Sequence, residues 1–233
     1  MKVACMQPYF LPYIGYWQLI HAVDKFVIYD NIKYTKKGWI NRNRILLNGC
    51  PEVFSLPLKK DSDFLNVDDR QISLGFDPRK LLSKIRGSYA RAPYFHECIS
   101  LLESLINFED RKLFNFIFNS ITQICSILCI ETEIFISSKI SISNDLKGQE
   151  KVINLCKSLG AETYVNPIGG AELYSSEVFN ENGFQLKFIK VKPFEYTQFG
   201  KSFVPWLSII DLLMFNPLEK IIDIVKNDYE LIS

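Results

Sequence analysis

Apolar positions at the start of the chain fall into a short run, a helical spacing and a second short run. Lys2 to Met6 reads as a strand, Gly15 to Ala22 as a helix, and Lys25 to Asp30 as a second strand ending in a carboxylate, which together make a βαβ unit. Ile45 to Leu47 and Glu52 to Leu58 flank Asn48-Gly49, a pair that accepts the positive φ of a tight turn, so a β-hairpin is predicted there. Asp77-Pro78 offers an N-cap and an N1 proline for a helix to about Tyr89. Asn107 and Asp110 resemble a further helix start, and helices are expected to fill the stretch to Ile130. Alternation then returns with a strand at Glu133 to Ser137, a helix at Gly148 to Leu159 stopped by Gly160, and a strand at Thr163 to Val165. Phe184 to Val191 alternates like another strand, and Leu207 to Phe215 like a strongly apolar helix. The pattern predicts one α/β domain over residues 1–233, with a mostly parallel sheet, a hairpin and a helical lobe at about 78–130.

Composition narrows the class. The chain has 233 residues, is 48% hydrophobic and carries a formal charge of +1, enough for one substantial core and too little basic excess for bulk nucleic-acid binding. Anion recognition must therefore be local. Six cysteines are scattered with no CxxC pair, which predicts buried thiols in a reducing compartment and no metal centre. The apolar run before Gln7 is too short for a signal peptide, and the Leu113 to Ile130 stretch is interrupted by Asn115, Asn119, Thr122 and Gln123. A cytoplasmic protein without a membrane span is expected.

Two segments carry the candidate chemistry. The loop Gln7 to Tyr16 follows the first strand and leads through prolines to Gly15 at a helix start, the arrangement by which α/β sheets offer backbone N–H groups to a phosphate. Asn31 to Arg44 carries five cations (Lys33, Lys36, Lys37, Arg42, Arg44) with Tyr34 and Trp39 and no acid, so guanidinium groups could grip a phosphate or carboxylate beside aromatics that stack on a base or pyranose. Asn41 and Asn43 lie in the same segment. Asp30 stands at the edge where open sheets bind ligands, a candidate base, and His21 is a candidate imidazole one turn or so past Tyr16. Asn166, Gly169 and Gly170 follow a later strand and would emerge at the same edge if the two strands are parallel. Lys201, Ser202 and Ser208 are further donors, Ser137-Ser138-Lys139 faintly suggests a phosphate motif, His96 reads as structural, and Asp211 in an apolar helix needs a partner if buried.

Met6 to Ile20 (MQPYFLPYIGYWQLI) and Tyr34 to Arg44 (YTKKGWINRNR) resemble the signatures of WbqC-like proteins, and the resemblance continues through Leu159-Gly160-Ala161, Tyr164-Val165-Asn166 and Pro205 to Leu212. Such proteins lie among bacterial genes for surface polysaccharide (O-antigen, capsule), and some are labelled glycine transferases. The opening is also similar to that of nucleotidylyltransferases and pantothenate synthetase, which carry His-x-Gly-His where this chain has Tyr13-Ile14-Gly15-Tyr16. The resemblances imply a Rossmann-like, nucleotidylyltransferase-type sheet and an amide-forming acyl or glycine transfer involving a sugar or sugar nucleotide, with ATP and Mg²⁺ activating a carboxylate. In that scheme Gln7, Pro8, Tyr13, Gly15 and Tyr16 hold the phosphate. Lys36, Lys37, Arg42 and Arg44 balance developing charge, and Asp30 or His21 manages the proton. A sugar nucleotidylyltransferase and a non-catalytic sugar-nucleotide-binding protein remain alternatives. The expected partners are the sugar substrate, an amino-acid donor and further copies of the chain.

Overall fold

In a computed structural model, which describes residues 1–143, 145–200 and 202–233, the alternation predicted from sequence becomes a six-stranded sheet with helices on both faces. The elements in order are β1 (Lys2–Met6), α1 (Ile14–His21), β2 (Lys25–Ile28), β3 (Arg42–Leu47), β4 (Cys50–Ser55), α2 (Pro78–Tyr89), α3 (Phe95–Ile106) and α4 (Leu113–Ile127). They continue with β5 (Glu133–Ile136), α5 (Gly148–Leu159), β6 (Thr163–Pro167), α6 (Ser176–Glu181), β7 (Gln185–Val191), α7 (Ile209–Phe215), α8 (Leu218–Asn227) and β8 (Tyr229–Ile232). The sheet runs β5-β2-β1-β6-β7-β8, parallel throughout except for β8, which pairs antiparallel with β7. Counting sheet strands alone, this is the Rossmann order 3-2-1-4-5-6, whose direction reverses between β1 and β6. The fold class expected from sequence is the one observed.

Side chains alternate along β1. Val3 and Cys5 join the apolar cluster under α5 and α6, while Ala4 joins the larger one formed with α1, α7, α8 and α2 to α4. α1 is buried on every side from Ile14 to Ile20, and its buried amide, Gln18, donates through Nε2 to the carbonyls of Ile224 and Asp228 at the end of α8. Those bonds satisfy the amide nitrogen, which would otherwise cost about 1–3 kcal/mol to bury, while the buried Oε1 has no partner among the described residues. Local signals act as read: Asp77 accepts from the Arg79 N–H ahead of Pro78, Gly160 ends α5 at φ 69°, and Asn48 (φ 52°) with Gly49 (φ 77°) turns β3 into β4.

The structure departs from the reading at short elements. The second strand stops at Ile28, so Tyr29 and Asp30 lie beyond the ladder, and the hairpin strand begins earlier, at Arg42. The six-residue α6, α8 and the four-residue edge strand β8 were not foreseen. β8 is held by pairing Phe188 to Ile232 through Val191 to Tyr229, a long-range template with no local signature. No helix among the described residues is long and apolar enough to cross a membrane.

Candidate functional site

Three segments meet beyond the carboxyl end of β1. The Phe10 N–H donates to the Ile40 carbonyl, Asn43 Nδ2 donates to the Leu11 carbonyl at 2.9 Å, and Ser208 Oγ donates to the same carbonyl at 2.6 Å. The Ser208 N–H reaches the Arg44 carbonyl, and the Ile209 N–H reaches that of Pro12. The β1 loop, the β3 hairpin and the start of α7 are thus stitched into one unit. Two non-glycine residues there are held in the left-handed region, Leu11 at φ 46° and Trp206 at φ 61°. Such backbone costs of order 1 kcal/mol or more per residue and persists where the surroundings over-determine it, as the doubly bonded Leu11 carbonyl does.

The meeting point forms a two-lobed cleft. The smaller lobe, about 250 Å³, is walled by Tyr9, Tyr13, Trp39 and Trp206, with Asn43 and Arg44 at its polar side. The larger, about 740 Å³, runs from Ile14 past Val191 to Tyr196 and back to Leu207 and Leu212. Tyr13 and Trp206 line both lobes and pack edge to face with ring centroids 5.6 Å apart, so this pair is the neck at which the two lobes adjoin. Arg42 and Arg44 lie 5.5 and 5.2 Å from the Trp39 ring. Arg44 Nη2 donates to the Trp206 carbonyl at 3.1 Å, and its buried Nε has no partner among the described residues. Burial raises the Tyr13 hydroxyl above its ordinary pKa, and burial followed by the neighbouring Tyr13 raises that of Tyr9, so both stay protonated donors at neutral pH. Among the described residues Glu195 is the one carboxylate lining either lobe.

Tyr13, Trp39, Asn43 and Arg44 are therefore brought together, and the basic segment does converge with the proline loop. Asn43 serves the framework, because its amide bonds the Phe10 and Leu11 carbonyls and its oxygen accepts from the Arg44 N–H. Gly15 is needed by the protein itself: a Cβ there would lie 2.5 Å from the Tyr13 hydroxyl oxygen. Tyr16 turns inward and donates to the Gln7 carbonyl at 3.0 Å, and Pro8 is buried. Arg42 ties its own loop by donating to the Gly38 and Lys37 carbonyls, and Tyr34 donates to Asn41, which in turn holds the Leu56 carbonyl. Lys36 pairs with Asp63, Lys33 lies over Phe64, and Lys37 is exposed, all apart from the cleft lining.

The remaining candidates lie elsewhere. His21 sits at the far end of α1, between the start of β1 at Lys2 and the Tyr229 ring, so it stands at the opposite edge of the sheet. Burial, then Lys226 and Lys2, lowers its pKa. Asp30 is at the carboxyl edge but is engaged: it accepts from Ser137 Oγ at 2.8 Å, from the Ser138 N–H at 2.9 Å and from the Ser138 hydroxyl. Lys151 joins this grouping through Asn31 Oδ1 at 2.8 Å. Asn166 accepts from Tyr164 on the α5 side of the sheet, and its side chain fills the space a Cβ at Gly170 would need, with exposed Gly169 beside it. Asp211 does find partners, accepting from Tyr89, Tyr196 and Gln198 at 2.7 Å each. Ser202 and His96 are exposed, and Lys201 lies outside the described residues.

Sequence reasoning missed Tyr9 and Trp206 as walls, the Val191 to Tyr196 segment, and Lys151. The first two stand inside the motifs already singled out. Lys151 was signalled by its stripe, since Lys151, Leu155 and Leu159 share one helix face and the lysine is buried with the leucines. Among the described residues no group of three or more His, Cys, Asp or Glu side chains is placed to hold a metal ion. Among the described residues the smaller lobe is lined by one cation, Arg44, and the larger by one, Lys192.

The chain is 28% identical over 222 residues to the uncharacterized protein Rv1507c of Mycobacterium tuberculosis, covering 91% of this chain and 92% of that protein. No solved structure gives a significant match. The family model of WbqC-like proteins matches residues 7–223, which span the β1 loop, the hairpin, the neck and every helix through most of α8. The chain belongs to the WbqC-like protein family.

Proposed function

We propose that the protein binds a sugar nucleotide in the smaller lobe and transfers an acyl group to an amine on its sugar, forming an amide. The observation that carries this reading is the pairing of aromatic walls with one guanidinium: Trp39 and Trp206 line the lobe as surfaces a pyranose can pack on, and Arg44 beside them can take a phosphate or uronate. Surface-polysaccharide assembly is the setting that the sequence resemblance implies. In this reading the acyl group arrives already activated, as a thioester, rather than being activated by ATP at the site. The amine nitrogen attacks the acyl carbon, the new C–N bond forms and the C–S bond breaks, while the nitrogen's proton passes to Glu195 and from it to the departing thiolate, which leaves as the thiol. Tyr13 at the neck donates to the oxyanion as it develops.

Incubation with a UDP-linked amino sugar and an acyl thioester tests this. Thiol release with the matching mass gain on the sugar is expected, and absence of both across several acyl groups would overturn it. A second reading, a non-catalytic sugar-nucleotide-binding protein, draws on one observation: His21 and Asp30, the expected proton carriers, both lie outside the cleft. Tight sugar-nucleotide binding with no turnover would favour it.

A further inference from the structure

We infer that the larger lobe holds the hydrocarbon chain of the acyl donor, so that the substrate is a fatty acyl group of medium length rather than a short polar one. The inference rests on the transfer reading above for its chemistry, but its own support is the state of the wall. The lobe is surrounded by Ile14, Val191, Phe194, Phe203, Leu207 and Leu212. Most polar atoms along it are already engaged by the protein. Ser208 Oγ donates to Leu11 and caps the Ile210 N–H, Tyr196 donates to buried Asp211, and Lys192 Nζ donates to the Asn227 carbonyl. Most of what faces the space is carbon, with Glu195 at the exposed rim and Tyr13 at the neck.

A nucleotide or free sugar entering this space would find few free polar partners on the wall, whereas an alkyl chain gives up no hydrogen bonds and removes apolar wall from water. The ends of the cleft also differ in charge. The guanidinium of Arg44 lies in the smaller lobe beyond the Tyr13–Trp206 neck, so an amphiphile has one orientation: chain in the larger lobe, reacting carbonyl at the neck, anionic partner beside Arg44.

The test measures binding of saturated fatty acids by displacement of a fluorescent fatty-acid probe, below micelle-forming concentrations. Affinity should rise about fourfold per added methylene, from about six carbons until the lobe is filled, and then level off. Val191→Phe should move the plateau to shorter chains, and Phe194→Glu should abolish the dependence on length while affinity for a UDP-linked amino sugar stays unchanged. Length-independent binding, with the amino-sugar nucleotide still bound, would overturn the chain site and leave the transfer reading standing. A steep length dependence with no sugar-nucleotide binding would support the chain site and overturn the transfer reading beneath it.

Discussion

Two polar groupings stand at the carboxyl edge of the same sheet, and they have opposite fates. Beyond β2 and β5, Asp30, Asn31, Ser137, Ser138 and Lys151 bond one another, with the buried Asp68 Oδ1 nearby lacking a partner among the described residues, and burial lowers the Lys151 pKa while Asp30, Cys5 and Asp68 partly offset it. Beyond β1 and β7, the framework bonds are made by backbone and by Asn43 and Ser208, which leaves Tyr13, Trp39, Trp206 and part of Arg44 facing a cavity. Charge at a sheet edge is therefore a poor guide to the site here. Aromatic surface that remains uncovered is the better one.

The largest effect should come from breaking the closed grouping. Asp30→Ala removes the acceptor for Ser137 Oγ, the Ser138 N–H and the Ser138 hydroxyl, and urea unfolding should show a loss of about 2–4 kcal/mol. The folded fraction should still bind sugar nucleotide normally, and a selective loss of binding would reverse the comparison. Next come the two arginines beside Trp39. Arg44→Ala should weaken sugar-nucleotide binding by about 10- to 100-fold in calorimetry, the weight of a charged hydrogen bond, with little change in stability. Arg42→Ala should do the reverse, because its guanidinium holds the Gly38 and Lys37 carbonyls, and should cost about 1–2 kcal/mol of stability.

Smaller effects sharpen the same contrast. Trp39→Ala, with the ring 40% exposed, should raise the sugar-nucleotide Kd by about fivefold, or about 1 kcal/mol of stacking, and barely move the unfolding midpoint. His21 should matter least and only to stability. Its folded pKa lies below the ordinary 6.5, so its contribution is present above that value and is lost as pH falls through the depressed one. His21→Gln should flatten that acid limb in thermal melts, while the pH profile of transfer keeps its shape.

Much of the fold was legible because its signals are local. Asn48-Gly49, Asp77-Pro78 and Gly160 each fix backbone geometry through their own chemistry, and the apolar periods around them set strand or helix. β8 was not legible, since four residues become a strand only by pairing with β7. The candidate site was half visible for a related reason. The motifs around Tyr13 and Trp39 marked the right segments, but which side chains remain available depends on partners that spacing does not name: Tyr16 is claimed by Gln7 and Tyr34 by Asn41 within their own loops, and Asp30 by serines more than a hundred residues away. Trp206 joins the wall through a contact with Tyr13 that no spacing rule anticipates.

The most direct test of the cleft as the working site is a crystal structure of the protein soaked with a UDP-linked amino sugar. The sugar is expected between Trp39 and Trp206, its phosphates on Arg44 and its amine at the Tyr13 neck. Ligand density at the Asp30–Lys151 grouping, with the aromatic cleft empty, would contradict it.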